Sequence, residues 1–529
     1  MSKRLEMKKY ILLLFLGLSF VQLTAQSLSN QSHIGTNGYD IVGAVLHLPD
    51  GSYIVASNTD GDATGLKTTP SFGSMDGWLL RYDANHQLLW EKPFGGSGFE
   101  LVKDMQLASD QQILVLLTST SPISGNKTVG TKGGHDAWLL KIDWDGNIIW
   151  QQDYGTTMGD RACKLLVHPD ESIYIGVISN GQDEDRSAPL FGEADFWLLK
   201  LNSEGQKIWD RAFGSNAQDE LTALQLEPYT NRVVLLGTVG NAGNGNMNCS
   251  CLVYGTNCWI FSLDDNGAIY NQACLGSGTQ LTYASLVFLP DGTLWLATNT
   301  HTNIIGDQNF PNFGEWDTWL MHLDANFQLI DQKQFGGSST DYPLSIQTNG
   351  EVLQLINLSN SPVSGNKTQS CRGGLDIWYL MLNAADGELI MQRTIGGSQN
   401  ENAAVFINQG NNVRFFIESA SPQGGDKTLN NYTSIEDVWC VTMASTLGLD
   451  EQNSNARPTF SLYPNPSRES IEIENYSNAK EALLYDPTGK VLQRIALQDV
   501  QATHFVVSHL TPGIYLLKVG DQTRSLVIE

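Results

Sequence analysis

The chain is poor in positive charge, in cysteine and in long apolar runs, and each shortage excludes something. Its 529 residues hold 31 Lys and Arg against 56 Asp and Glu, a formal net charge of −25. A surface of that sign repels nucleic acid and anionic membranes, so neither is expected as a partner. Beyond the N-terminus no stretch is long and apolar enough to span a bilayer. Helical periodicity of useful length is also missing, which leaves an all-β chain. The nine His are scattered and suggest no Ser/His/Asp arrangement, and neither a phosphate-binding Gly loop nor an H-E-x-x-H pair is present.

Seven Cys are few for this length, and four of them, Cys249, Cys251, Cys258 and Cys274, fall within 26 residues. Disulfide pairing among these four is the expectation in an oxidising compartment. Zinc is the minor alternative, because no His lies nearby and no C-x-x-C knuckle is present. Cys163, Cys371 and Cys440 stand alone and read as buried thiols. The one apolar run of note is at the start, in "MSKRLEMKKYILLLFLGLSFVQLTAQS". Basic residues, the stretch from Tyr10 to Leu18 and small residues ending at Ala25 make a secretory signal peptide of residues 1–25. Its removal takes away four basic residues and one acidic one, leaving 27 against 55 and a net charge of −28.

Repetition is what the chain has in plenty. "SMDGWLLRYDANHQLLWEKPFG" from Ser74 returns as "GGHDAWLLKIDWDGNIIWQQDYG" from Gly133 and "EADFWLLKLNSEGQKIWDRAFG" from Glu193. Aligned on the Trp, the copies fall at Trp78, Trp138, Trp197, Trp259, Trp319, Trp378 and Trp439, with gaps of 60, 59, 62, 60, 59 and 61. A Gly after an apolar or aromatic residue keeps the same phase, from Gly35 and Gly95 to Gly396. Each copy reads as four short strands, with Asp-Gly or Asn-Gly hairpin signals between apolar runs. In "WLLKI" both strand faces are apolar, so each sheet must be covered by neighbours. Seven such meanders arranged radially make a seven-bladed β-propeller over residues 26–446. The seventh copy lacks a fourth strand, and "SLSNQSHIG", residues 27–35, is expected to supply it and so close the ring.

A residue type needed in every copy is more economically architecture than a single active site. The seven Trp therefore read as packing residues. Asp76, Asp136, Asp195, Asp317, Asp376 and Asp437, two places before each Trp, read as acceptors of backbone N–H groups, with Asn257 in the fourth copy able to do the same. Loops on the face shared by the "GGS" turns and the long connections before each Asp-x-Trp form the expected working surface. Candidates there are Lys127, Lys367 and Lys427 in the repeated "SPISGNKT", "SPVSGNKT" and "SPQGGDKT" loops, and Phe310, Phe313 and Trp316 in "HTNIIGDQNFPNFGEWD". Asp183, Glu184 and Asp185 are the candidate calcium ligands, and no other cofactor is expected.

After a linker at 447–457 the composition changes. Alternating short strands from 458 to 529 give a small β-sandwich. Tyr463-Pro464-Asn465-Pro466, Asp486 to Gly489, and Gly513-Ile514-Tyr515 resemble the C-terminal sorting domain of type IX secretion cargo over the whole of that segment. The resemblance implies a Bacteroidota source, handling by the type IX machinery, passage across the outer membrane, and release or attachment at the cell surface. The repeat region resembles secreted quinoprotein-like propellers through segments such as Asp143 to Trp150. Their cofactor does not carry over, because those dehydrogenases have eight blades and an adjacent Cys-Cys pair. The expected function is glycan or surface-protein recognition by an exported binding or adhesion protein. The alternative is a polysaccharide hydrolase or lyase with acidic residues near the propeller channel.

Overall fold

The computed structural model describes residues 27–444, apart from short segments at 241–244, 250–254, 279–280, 302–304 and 433–434, together with the tail strands between 460 and 528. The N-terminal 26 residues, the linker and Pro464, Asn465 and Pro466 lie outside the described residues. Every regular element described is a β-strand. Residues 25–445 form one compact unit.

Sheet one runs Asp40–His47, Tyr53–Thr59, Asp76–Tyr82 and Leu88–Phe94 in simple sequential order. Sheets two to six repeat this meander, from Glu100–Leu107 to Leu389–Ile395. Sheet seven is Glu401–Gln409, Asn412–Ser419 and Asp437–Ala444, and its fourth strand is Leu28–Ile34 from the N-terminus. Leu28 lies opposite Met443 and His33 opposite Trp439. The first strand of each sheet packs on the first strand of the next, and that of sheet seven packs on that of sheet one. This is the arrangement of a β-propeller, with first strands at the centre and fourth strands outermost.

Its core lies between neighbouring sheets. Second and third strands such as Ile113–Ser119 and Asp136–Ile142 are buried at every position, as strands covered on both faces must be. One cluster joins Ala56 and Leu79 of sheet one to Leu117, Trp138 and Leu140 of sheet two. All seven repeat Trp are fully buried. Each donates its indole N–H to a side-chain oxygen on the outermost strand of its own sheet: Glu91, Gln151, Asp210, Gln272, Gln332, Gln392 and, in sheet seven, Gln31. Gln31 arrives from the N-terminal strand, so the same bond that ties each meander together also ties the ring shut.

The turns before the outermost strands of sheets two and three have two reasons for their glycine, whereas His86 and Phe327 hold the same turn position in sheets one and five. Gly146 has φ +75°, and a Cβ there would come within 3.2 Å of Trp90 in the preceding sheet. Gly205 has φ +79° and stands in the same relation to Trp150, at 3.0 Å. The D-x-x-G-x-x-x-W segments are thus an interlock: the turn glycine receives the Trp of the sheet before it.

Of the four clustered cysteines, Cys249 and Cys274 form a disulfide. Cys258 does not join them, which corrects the wider expectation. It sits on the opposite face of its sheet, in the cluster between sheets four and five, whereas Cys249 and Cys274 pack towards sheet three. Cys251 lies outside the described residues. Cys440 is buried, but Cys163 and Cys371 are half-buried rather than enclosed.

In the tail, Phe460–Tyr463, Ser470–Asn475 and Thr503–Val506 form a three-stranded sheet. Val491–Ala496, Glu481–Tyr485, Gly513–Val519 and Gln522–Ile528 form a four-stranded one. Ile471, Ile473, Leu484 and Leu517, drawn from both sheets, are fully buried in one cluster, with Tyr515 at its edge.

Candidate functional site

The loops between second and third strands make up the face on which recognition was expected, and most of their polar groups are already engaged. Asn126 accepts the N–H of Gly95 and donates to the carbonyl of Pro93 in the preceding sheet, and Asn366 does the same with Gly336 and Gln334. The N–H groups of Thr128 and Thr368 reach Gln151 and Gln392, the acceptors already bound to the repeat Trp. Between Asn and Thr stands the lysine. Lys127, Lys367 and Lys427 are only 1–2% exposed. Lys127 pairs with Asp153 at 2.8 Å, and Lys427 donates to Ser419 and the carbonyl of Ser421. Enclosure within their own sheets removes these three lysines from the binding candidates. The "SGNKT" loops are latches between sheets.

The repeated Asp accept backbone N–H groups as expected, Asp76 from Phe72 at 2.7 Å and Asp437 from Tyr432 at 2.7 Å. A second set of acids, unrecognised from the sequence, opens the first strands. Asp40, Glu100, Asp160, Asp219, Asp341 and Glu401 each accept the N–H of the residue four places earlier. All are fully buried. The two sets meet at the sheet junctions: Asp437 with Asp40, Asp76 with Glu100, Asp136 with Asp160, Asp195 with Asp219, Asp317 with Asp341 and Asp376 with Glu401. This accounts for the Gly landmark. A Cβ at Gly95 would lie 2.2 Å from Asp76 Oδ1 and 2.9 Å from Glu100 Oε2. At the junction of sheets four and five both acids are absent together: Asn257 replaces the first, and Thr282 stands at the register of the second. Their joint loss marks the two carboxylates as one unit.

Burial raises Asp40, Asp76, Asp136, Asp219, Asp317, Glu401 and Asp437 well above the usual range, and for all of these but Asp437 a neighbouring carboxylate adds to it. Asp76, Asp219 and Asp437 reach about 6, Asp40, Asp317 and Glu401 about 7, and Asp136, beside Asp153 and Asp160, about 8. Folding therefore takes up protons, so this contribution is fully present below about pH 4 and is lost as pH rises through 6–8. His33, lowered by burial to about 4, and His86 and His322, also lowered by burial, act in the opposite sense below pH 6.5 but are outnumbered. Denaturant titrations should give a free energy of unfolding that falls by several kcal/mol from pH 5 to pH 8, because each tenfold gain in a carboxylate's proton affinity on folding is worth about 1.4 kcal/mol. A flat profile would refute proton sharing at the junctions.

Asp183 accepts the N–H and hydroxyl of Thr157, and Asp185 pairs with Lys132 at 2.8 Å while accepting the N–H of Gly155. Glu184 is exposed. Among the described residues no three metal-ligating side chains converge. In place of the lysine, this loop has Arg186, buried against Asp195 at 2.8 Å.

The loop of sheet five differs. Phe310 is half-buried against the core between sheets four and five, which anchors the loop. Phe313 remains 46% exposed and rests on Gly365 of the next loop. Trp316 uses its backbone as Met75, His135 and Ala194 do in sheets one to three, bridging to Thr340, but its indole is unlike anything at that position elsewhere. It lies between His301 and Tyr342 in tilted contacts, with ring centroids at 4.8 and 5.8 Å, and Tyr342 continues to Tyr283 at 5.1 Å. These four rings form an accessible strip from the loop of sheet five to the first strands of sheets five and six. Tyr283 is 38% exposed and Glu315 stands at its border. Aromatic faces with a polar rim suit the apolar face of a sugar ring. The Tyr of this strip were missed in the sequence, although Tyr283 and Tyr342 hold the same register in consecutive repeats.

The fold and its surface define a radial all-β repeat protein with a separate C-terminal module. Residues 461–529 match the family of secretion system C-terminal sorting domains. The chain thus carries the tail of type IX secretion cargo, which implies export out of the cell. No curated protein sequence matches the chain. Among solved structures, the polysaccharide lyase Uly1 is similar over 79% of this chain and 100% of its own, at 9% identity and a TM-score of 0.43. The Dos1 propeller is similar over 79% and 94%, at 10% identity and 0.42. The Pan2 WD40 domain of Neurospora crassa is similar over 80% and 98%, at 8% identity and 0.42. No helix among the described residues is long and apolar enough to cross a membrane.

Proposed function

We propose that this chain is an exported seven-bladed β-propeller that recognises glycans at the cell surface of a member of the Bacteroidota, delivered there by a C-terminal β-sandwich. The observation that supports recognition is the aromatic strip of His301, Trp316, Tyr342 and Tyr283, which among the described residues only sheets five and six carry. Rings that serve packing alone are enclosed, as the seven repeat Trp are. These remain open to solvent on the face that carries the long loops. Binding is favoured over hydrolysis or elimination because the paired carboxylates are buried in the junctions, beyond the reach of a polysaccharide.

A glycan array probed with the purified protein, followed by calorimetry on the best ligand, tests this reading. Trp316→Ala should weaken binding about five-fold or more, roughly 1 kcal/mol of lost stacking, while the melting temperature stays within a degree or two. Absence of any glycan ligand, or unchanged affinity in the Trp316→Ala protein, would refute it.

A further inference from the structure

Six of the seven central strands carry a β-bulge. The register slips between Val42 and Ala44, Val102 and Asp104, Ala162 and Lys164, Leu221 and Ala223, Pro343 and Ser345, and Glu401 and Ala403. The extra residues are Gly43, Lys103, Cys163, Thr222, Leu344 and Asn402. A bulge re-aims the side chain it adds, and four of these six line a single cavity of about 280 Å³ at the propeller axis. Sheets two to six all contribute to its wall.

The charge in this cavity runs against that of the molecule. Lys103, Arg161 and Lys164 line it with one carboxylate, Glu220. Glu220 is fully engaged: both of its oxygens lie 2.7 Å from the Arg161 guanidinium. Lys103 and Lys164 make no ion pair with any described residue. Burial, with the charges of Arg161 and Lys164 nearby, pushes the Lys103 amine down. Asp104, a carboxylate whose field reaches Lys164, accepts the N–H groups of Met105 and Leu165 and does not line the cavity. Placing like charges together without an ion pair opposes folding. The Cys163 thiol, pushed up to about 11 by burial, is protonated and donates to the carbonyl of Arg161, so it is no nucleophile. Ala162, Ile178 and Leu344 supply an apolar wall.

We propose that this axial cavity binds an oxyanion, a carboxylate or sulfate group, held by the ammonium groups of Lys103 and Lys164. Charge-assisted hydrogen bonds in a partly desolvated cavity supply the affinity, and the apolar wall takes the body of a small acid. The field of an otherwise anionic protein repels such ligands elsewhere, so recognition is confined to this point. The same group can come as a free small acid or as the acidic substituent of a glycan. The inference does not depend on glycan binding at the aromatic strip.

Calorimetric titrations of the full protein with sulfate, glucuronate, an oligoglucuronate and glucose test it. Sulfate and glucuronate should bind, with affinity falling as NaCl is raised, and glucose should not. Lys103→Gln with Lys164→Gln should weaken glucuronate binding ten-fold or more and leave the melting temperature unchanged or higher, because an unfavourable charge pair is removed. Loss of binding together with a lowered melting temperature would instead indicate a structural role and overturn the proposal. So would undetectable binding of both anions, or a double variant that binds as the parent does. An oligoglucuronate that binds more tightly than the monomer and responds to Trp316→Ala assigns the anion to a glycan. Equal affinities that ignore Trp316→Ala assign it to a small acid. Either result sustains the cavity site, and the second does so even if the strip binds nothing.

Discussion

Asp195→Asn should destabilise the protein by about 3–5 kcal/mol, while Asp317→Asn, the same change two sheets away, should be neutral within about 1 kcal/mol at pH 8. The two positions share backbone, burial and Trp neighbour, and differ in counter-charge. Among the described residues Asp195 is the one carboxylate that forms an ion pair with the enclosed Arg186, at 2.8 Å, and its removal leaves an interior guanidinium with only the field of Asp160 to offset it. In sheet five the cation is missing, because Gln308 stands where every other sheet but the fourth, which has Met247, places Lys or Arg. Asp317 Oδ2 accepts the N–H of Phe313 and the Gln334 amide, bonds that an Asn oxygen can also accept. Its Oδ1 has no hydrogen-bond partner among the described residues and neither has Asp341 Oδ1. An amide N–H there can do what a shared proton does, without the proton. Asp317→Asn should therefore also flatten part of the pH profile, as Asn257 does at its own junction. Urea titrations of both variants at pH 5 and pH 8 decide the matter. Equal losses would mean that the carboxylates serve only as backbone acceptors.

Removal of residues 27–33 should lower stability on the order of 5 kcal/mol or more, far beyond the effect of trimming a frayed end. The deletion uncovers the edge of Asp437–Ala444 and strips Trp439 and the N–H of Thr428 of their shared acceptor, Gln31. Arg414, buried, loses the carbonyl of Asn30 and the hydroxyl of Ser32. The exposed edge should also promote association, visible by light scattering. An unchanged denaturation midpoint would mean that the ring does not depend on this strand.

The repeat was legible because residue types that every sheet needs recur at fixed spacing, and the missing fourth strand of the seventh copy could be located for the same reason. The acceptor of each indole N–H was equally periodic, thirteen residues beyond Trp138 at Gln151, yet an exposed-looking Gln or Glu in a polar strand attracts no notice. The acids that open the first strands were hidden because a carboxylate beside a Gly-Ser turn reads as loop polarity. Lys127, Lys367 and Lys427 were misjudged because lysine by type belongs outside, and only the surrounding carbonyls and carboxylates make its burial tolerable. The axial cations escaped for a geometric reason. Alternation assigns side chains to faces, and one bulged residue shifts the assignment. The aromatic strip draws on positions 283, 301, 316 and 342, which only the radial packing brings together.

Closing the ring with its own beginning also sets an order of events. Ser29 meets Thr442 across 413 positions of chain, a contact that can form only after the chain between them has been made. At ordinary synthesis rates of about 5–20 residues per second, the first strand waits roughly 20–80 s for its partner. During that interval six meanders can be complete while the seventh lacks its outer edge. Pairing over so long a separation is slow even when both partners are present. A chain destined for export thus remains an open arc for much of its early life, and becomes a closed body only when its oldest and newest propeller residues meet.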